Sequence, residues 1–68
     1  MSELELTSIA RRVRVEYEEM PGLVLTIPQA ARLWHLEKSV VENVMASLVA
    51  AEYLRQSPSG FVRRSLSH

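Results

Sequence analysis

Apolar residues in the first twenty positions recur at steps of three and four, the period of an amphipathic helix, with arginines and glutamates between them. Ser2 and Glu5 match a capping box at the start, and Pro21 and Gly22 disfavour continuation of the helix. The pattern therefore predicts a helix over residues 3–19. Its apolar stripe consists of Leu6, Ile9, Ala10, Val13 and Tyr17.

A short apolar run at residues 23–25 follows and predicts a brief strand or an extended link. Thr26 is a favourable N-cap, Pro28 falls in the first turn where its missing N–H is tolerated, and Gln29 completes a second capping box. These signals predict a second helix over residues 27–35. Its inward-facing positions are Ile27, Ala30, Ala31 and Trp34.

A polar triplet at residues 37–39 predicts a short turn, and the helical period then returns. Ser39 and Glu42 match a third capping box, so we expect a helix over residues 39–51. Its apolar positions are Val41, Val44, Met45, Leu48 and Val49. The side chains on the opposite face are small and uncharged. They belong to Val40, Asn43, Ser47 and Ala50.

Two strand-like segments close the chain on either side of a Ser-Pro-Ser-Gly turn. This arrangement predicts a β-hairpin over residues 53–64. Because no internal repeat or low-complexity tract is present, we expect residues 1–68 to form a single domain.

The composition narrows the possible chemistry. With 68 residues the chain has room for one small core, and without cysteine it has neither disulfides nor thiolate zinc sites. His35 and His68 are too far apart in sequence to predict a metal site. The chain has no Asp, no paired nucleophile and base, and no glycine-rich phosphate loop, so we expect no catalytic residues, no cofactor and no enzymatic activity.

No apolar run approaches the roughly 18 to 20 residues that cross a bilayer, and the N-terminus is acidic where a signal peptide is basic. We therefore expect a soluble, unprocessed, cytoplasmic protein with no membrane partner. A domain this small has little spare volume, so no small-molecule ligand is inferred.

The formal net charge of zero conceals a gradient along the chain. Residues 1–25 carry three arginines and five glutamates, a sum of −2; residues 26–52 carry two basic and three acidic residues, a sum of −1. Residues 53–68 carry three arginines and no acid, a sum of +3. The positive charge is thus concentrated on the predicted hairpin.

The order helix, short strand, helix, turn, helix, hairpin resembles that of the winged helix-turn-helix. At sequence level the resemblance to bacterial winged-helix transcription regulators is carried by Leu25-Thr26-x-x-Gln29-Ala30-Ala31, Leu36, Ser39-Val40-Val41, Leu48-Val49, Tyr53-Leu54 and Gly60-Phe61-Val62. The run Glu16-Tyr17-x-Glu19-Met20-Pro21-Gly22-Leu23-x-Leu25-Thr26 is similar to a set of small, uncharacterised bacterial winged-helix proteins.

The resemblance implies an α+β, mainly α fold: a three-helix winged helix-turn-helix with a C-terminal β-hairpin wing. The chain departs from the usual pattern at Glu52, because many winged helices have glycine where the third helix gives way to the wing. We therefore expect a non-glycine residue in an unusual backbone conformation there, or a longer helix.

The resemblance also implies sequence-specific binding of double-stranded DNA and a role as a bacterial transcriptional regulator. The third helix would enter the major groove and the hairpin would contact phosphates or the minor groove. Asn43 suits adenine, and Val40 suits a thymine methyl group. The implied base-facing residues are Ser39, Val40, Asn43 and Ser47, and the implied phosphate contacts are Lys38, Arg55, Arg63 and Arg64.

Each of these residues also has a purely structural interpretation. Asn43 and Ser47 suit any solvated helix face, and Arg63 and Arg64 suit an edge strand protected from pairing by charge. A winged helix can also serve as a protein-interaction module that does not bind DNA. Glu37, Glu42 and the near-neutral charge of the third helix favour this alternative.

Zero net charge weakens DNA binding by a single copy, whereas a homodimer doubles the arginines of the wing. The expected dimer surface is the N-terminal helix, whose surplus apolar residues are Leu4, Leu6 and Val15. For the cluster of Arg11, Arg12 and Arg14 we expect ion pairs with Glu16, Glu18 or neighbouring chains. Tyr17 and Trp34 lie on apolar stripes and are expected in the core.

Overall fold

A computed structural model of the chain describes residues 2–64. In chain order the elements are α1 (Glu3–Glu19), β1 (Val24–Leu25), α2 (Ile27–Trp34), α3 (Lys38–Ala50), β2 (Leu54–Ser57) and β3 (Gly60–Arg63). Each helix begins and ends within one residue of its predicted limits. The predicted α+β, mainly α fold is confirmed, and its three helices and C-terminal hairpin are consistent with the arrangement of a winged helix.

Two of the predicted capping boxes are present. The Ser2 hydroxyl accepts the Glu5 N–H at 3.2 Å, and the Thr26 hydroxyl accepts the Gln29 N–H at 3.3 Å. In return the Gln29 side chain accepts the Thr26 N–H at 3.0 Å. These bonds satisfy N–H groups that the first helical turn leaves without an intrahelical partner, so they fix where α1 and α2 begin.

The predicted capping box at Ser39 and Glu42 is wrong. The N-cap of α3 is Glu37, whose side chain makes no capping bond, and the N–H groups of Val40 and Val41 both donate to the Glu37 carbonyl. The cause lies upstream, because α2 ends at His35 in the left-handed conformation with φ 56°. The chain is extended again by Glu37, so Ser39 falls inside the first helical turn.

The junction between α3 and the wing uses a non-glycine residue, as expected. Glu52 has φ 62°, in the left-handed region where glycine is usually found. The N–H of Glu52 donates to the Val49 carbonyl at 2.9 Å, and that of Tyr53 donates to the Leu48 carbonyl at 2.9 Å. These bonds close the last turn of α3 and direct the chain into β2.

The three strands form one antiparallel sheet in the order β1-β3-β2. In register, Leu25 lies opposite Phe61 and Leu54 lies opposite Arg63. The hairpin was predicted, whereas the pairing of β1 with β3 was not. This pairing attaches the wing to the segment that enters α2, so the wing and the helix-turn-helix have a fixed relative position.

One hydrophobic core lies between the three helices and the inner face of the sheet. The Tyr17 side chain is fully buried, and its hydroxyl donates to the Phe61 carbonyl at 2.8 Å. Trp34 is also buried, which confirms both aromatic predictions, although its indole N–H has no partner within residues 2–64. The buried side chains are Val13, Tyr17, Leu25, Ala30, Ala31, Trp34, Val41, Val44, Met45, Leu48, Leu54 and Phe61.

Candidate nucleic-acid interface

Helix α3 lies against α1, α2 and β2 and leaves one side in solvent. The left-handed His35 and the bond from the Leu36 N–H to the Ala31 carbonyl, at 2.9 Å, turn the chain between α2 and α3. Four side chains then anchor α3 in the core. They are Val41, Val44, Met45 and Leu48.

The solvent side of α3 carries a strip of small side chains, bordered by the exposed carboxylate of Glu42. At 100° per residue, this strip lies opposite the anchoring residues. It carries two polar side chains in its N-terminal half, Ser39 and Asn43, and methyl groups in its C-terminal half. We call it the α3 strip, and it consists of Ser39, Asn43, Ala46 and Ala50, all of which are exposed.

The other residues predicted on α3 lie at the edges of the strip. Ser47 is exposed and, with Asn43, borders a groove of about 710 Å³ between α1 and α3. Val40 is half-buried and packs against the core, so little of its side chain is free for contact. Lys38 is exposed at the first position of the helix.

The predicted arginines of the wing do not form one patch. Arg55 is exposed and lies opposite Val62, on the outer face of the sheet. Arg63 is half-buried, with its guanidinium carbon 5.6 Å from the centre of the Tyr53 ring. Arg64 forms an ion pair with Glu52 at 3.7 Å, and both side chains are more than half exposed.

Arg63 and Arg64 therefore lie at the base of the wing, beside the C-terminal end of α3. The 13 residues of α3 span about 20 Å, so this end is far from Lys38. The tip of the wing carries no charge. It is held by a bond from the Ser57 hydroxyl to the Gly60 carbonyl at 2.8 Å.

Tyr53 joins the base of the wing to α1. Its hydroxyl donates to the Arg14 carbonyl at 3.0 Å, and the Arg14 guanidinium carbon lies 4.9 Å from its ring centre. Burial, and then the negative charge of Glu18, raise the pKa of the Tyr53 hydroxyl. This contact was not predicted, because Arg14 and Tyr53 are far apart in sequence and no local pattern links them.

The ion pairs expected of the arginine cluster on α1 with Glu16 or Glu18 are not formed. Within residues 2–64 the one ion pair is that between Arg64 and Glu52, and Arg14 lies on the Tyr53 ring instead. An aromatic face attracts the guanidinium group and also covers its apolar stem. Arg11 and Arg12 remain exposed.

A second groove, of about 440 Å³, lies between α3 and the wing. Its walls are apolar apart from one carboxylate and one amide, which come from Glu42 and Gln56. Such a surface suits an apolar side chain better than a phosphate. The groove is lined by Ile27, Glu42, Ala46, Val49, Ala50, Gln56 and Phe61.

Among residues 2–64, no group of three or more potential ligands is placed to hold a metal ion. In the same range, no helix combines the length and hydrophobicity of a membrane span.

Comparison of the chain with protein-family models, with curated proteins and with solved structures gave no match.

Proposed function

We propose that the protein binds double-stranded DNA sequence-specifically through the α3 strip, and that it acts as a dimeric transcriptional regulator in the bacterial cytoplasm. The observation that carries the proposal is the position of Ser39 and Asn43. Both side chains are exposed, in the N-terminal half of a helix that is held rigidly from behind by α1 and α2. In helix-turn-helix proteins this part of the second helix contacts base edges.

The strip has dimensions and chemistry that suit the major groove. A B-DNA major groove is about 12 Å wide and admits one α-helix. Small side chains such as Ala46 let the helix approach closely, and the Asn43 amide has the donor and acceptor needed for adenine N6 and N7. Asn43 is therefore the proposed specificity residue, with Ser39 and Ser47 beside it and Val40 at the edge of the contact.

Phosphate contacts supply most of the affinity in such complexes. Lys38 and Arg55 are exposed and make no ion pair within residues 2–64, so they are the proposed principal contacts. Arg63 and Arg64 are the proposed secondary contacts. An exposed ion pair such as that of Arg64 with Glu52 contributes little free energy, so a phosphate can displace it.

A salt series tests this proposal. With two principal phosphate contacts per copy, the logarithm of the binding constant should fall with the logarithm of salt concentration with a slope of roughly −2 for one copy and −4 for two. Arg55→Ala should reduce the slope by about 1 per copy. The measurement is fluorescence anisotropy with random duplexes and with duplexes selected from a random library.

Two variants separate base reading from phosphate contact. Asn43→Ala should leave the salt slope unchanged and reduce the preference for the selected duplex by about 1 to 3 kcal/mol. Arg32→Ala removes an exposed arginine of α2 that has no proposed role, so it should change neither quantity. Absence of binding at low salt would overturn the proposal.

The second candidate function is a protein-interaction module. It is favoured by the groove between α3 and the wing, where Ala46, Ala50 and Phe61 form apolar walls beside the carboxylate of Glu42. A peptide with an apolar side chain next to a Lys or Arg would match this chemistry. Absence of DNA binding at low salt would make the protein-interaction module the better candidate.

A further inference from the structure

The outward side of α1 carries two large apolar side chains. Leu4 is 81% exposed and Val15 is 46% exposed, although the opposite side of α1 packs into the core. Leu6, which the sequence grouped with them, packs against the core and does not belong to this surface. The core therefore leaves both side chains uncovered, on the same face of the helix.

The two residues belong to a regular seam. Leu4, Ser8, Arg11 and Val15 follow one another at steps of four, three and four, which is the spacing of the contact positions in a two-stranded coiled coil. All four are exposed. We call these residues the outer seam of α1.

We infer that the outer seam is a dimer interface in which α1 packs antiparallel against α1 of a second copy. In the register that buries the apolar residues, Leu4 lies against the partner's Val15 and Ser8 lies against the partner's Arg11. The twofold axis repeats both contacts. This interface would supply the dimer of the proposed function. The seam uses no residue of α3, although Leu4 and Arg11 also border the groove between α1 and α3. Because the pairing needs no DNA, the dimer and DNA binding can be tested separately.

Charges beside the seam select this register. Glu5 and Arg12 are exposed, and each immediately follows a seam residue, on the same edge of the helix. Antiparallel pairing in the stated register places Glu5 within reach of the partner's Arg12 and Arg12 within reach of the partner's Glu5. Parallel pairing would instead place Arg11 against the partner's Arg11 inside the seam.

The interface is small. The 17 residues of α1 span about 25 Å and contribute two large apolar side chains, so the buried area falls below the roughly 1,200 Å² of a stable complex. The dimer should therefore form at high protein concentration and dissociate on dilution. Sedimentation equilibrium without DNA should show this shift in mass, and a monomer at every concentration up to about 1 mM would overturn the inference.

Cross-linking tests the direction of the helices, because the chain has no native cysteine. Leu4→Cys and Val15→Cys proteins should be joined by a short bis-maleimide when mixed, and each alone should react poorly. Efficient reaction of Leu4→Cys alone would indicate parallel pairing and would contradict the register. Circular dichroism of each variant confirms that it is folded.

Charge reversal tests the proposed pairs. Arg12→Glu places two acidic residues together at both ends of the seam and should weaken association about tenfold. Adding Glu5→Arg should restore it to within about threefold of the native protein. Because Glu5 also belongs to the capping box of α1, circular dichroism checks that the double variant keeps its helix content. Arg32→Glu makes the same change of charge on α2 and should have little effect. Equal weakening by Arg12→Glu and Arg32→Glu would overturn the proposed pairs.

Discussion

Gly60→Ala should destabilise the domain by about 2 to 4 kcal/mol, which is most of the stability that a domain of this size has. Gly60 has φ 138°, a conformation that residues with a Cβ rarely adopt. A Cβ built at this position would lie 2.6 Å from the Leu25 carbonyl oxygen and 3.1 Å from the Thr26 nitrogen. Both atoms belong to backbone, so neither can move without disturbing β1 or the start of α2.

Urea denaturation followed by circular dichroism measures this effect. The matched control is Gly22→Ala, because Gly22 has no atom within 4 Å of the added Cβ and does not have a positive φ. That substitution should change the free energy of unfolding by less than about 1 kcal/mol. Similar midpoints for the two variants would contradict the close approach of β3 to β1.

Tyr17→Phe should destabilise the domain by about 1 to 3 kcal/mol, because it leaves the Phe61 carbonyl without its buried donor. The lost bond spans 44 residues and joins α1 to the central strand of the sheet. The packing of the ring is retained, so the measured change reports the hydrogen bond. An unchanged free energy of unfolding would show that this bond does not hold α1 on the sheet.

Tyr17 also makes the free energy of unfolding depend on pH in the alkaline range. Burial raises the pKa of Tyr17 to about 12, against an ordinary value of 10.0. The folded protein therefore keeps this proton at pH values where the unfolded chain loses it. The contribution of Tyr17 to the free energy of unfolding is fully present below pH 10. It decreases between pH 10 and 12, by at most about 1.4 kcal/mol per pH unit.

Tyr17→Phe should remove this part of the slope. Tyr53, whose pKa is also raised, is present in both proteins, so the difference between their slopes isolates Tyr17. Urea titrations from pH 9 to 12 measure both slopes. Equal slopes in the two proteins would contradict the assignment to Tyr17.

The caps of α1 and α2 could be predicted because their bonds join residues only three apart. Ser2 with Glu5, and Thr26 with Gln29, contain all the atoms that each cap needs. The same rule failed at Ser39 because the left-handed conformation of His35 had already fixed the entry to α3. A match to the capping-box sequence does not show which of several polar residues is the N-cap of the helix.

The contacts of the wing could not be predicted, because they depend on residues that are distant in the chain. The resemblance to winged helices implied one common role for Arg55, Arg63 and Arg64, as phosphate contacts. Packing of Tyr53 against α1 determines that Arg63 lies over the ring, and the turn at Glu52 brings that carboxylate to Arg64. Only Arg55 remains on the open face of the sheet.

An NMR titration of the ¹⁵N-labelled protein with a selected duplex tests most directly whether α3 reads DNA. The largest amide shifts should occur at residues 38–47 of α3 and at Arg55, with small shifts at Gly22 and Met20. Binding that leaves the amides of Ser39 and Asn43 unchanged would contradict the proposal that α3 reads DNA.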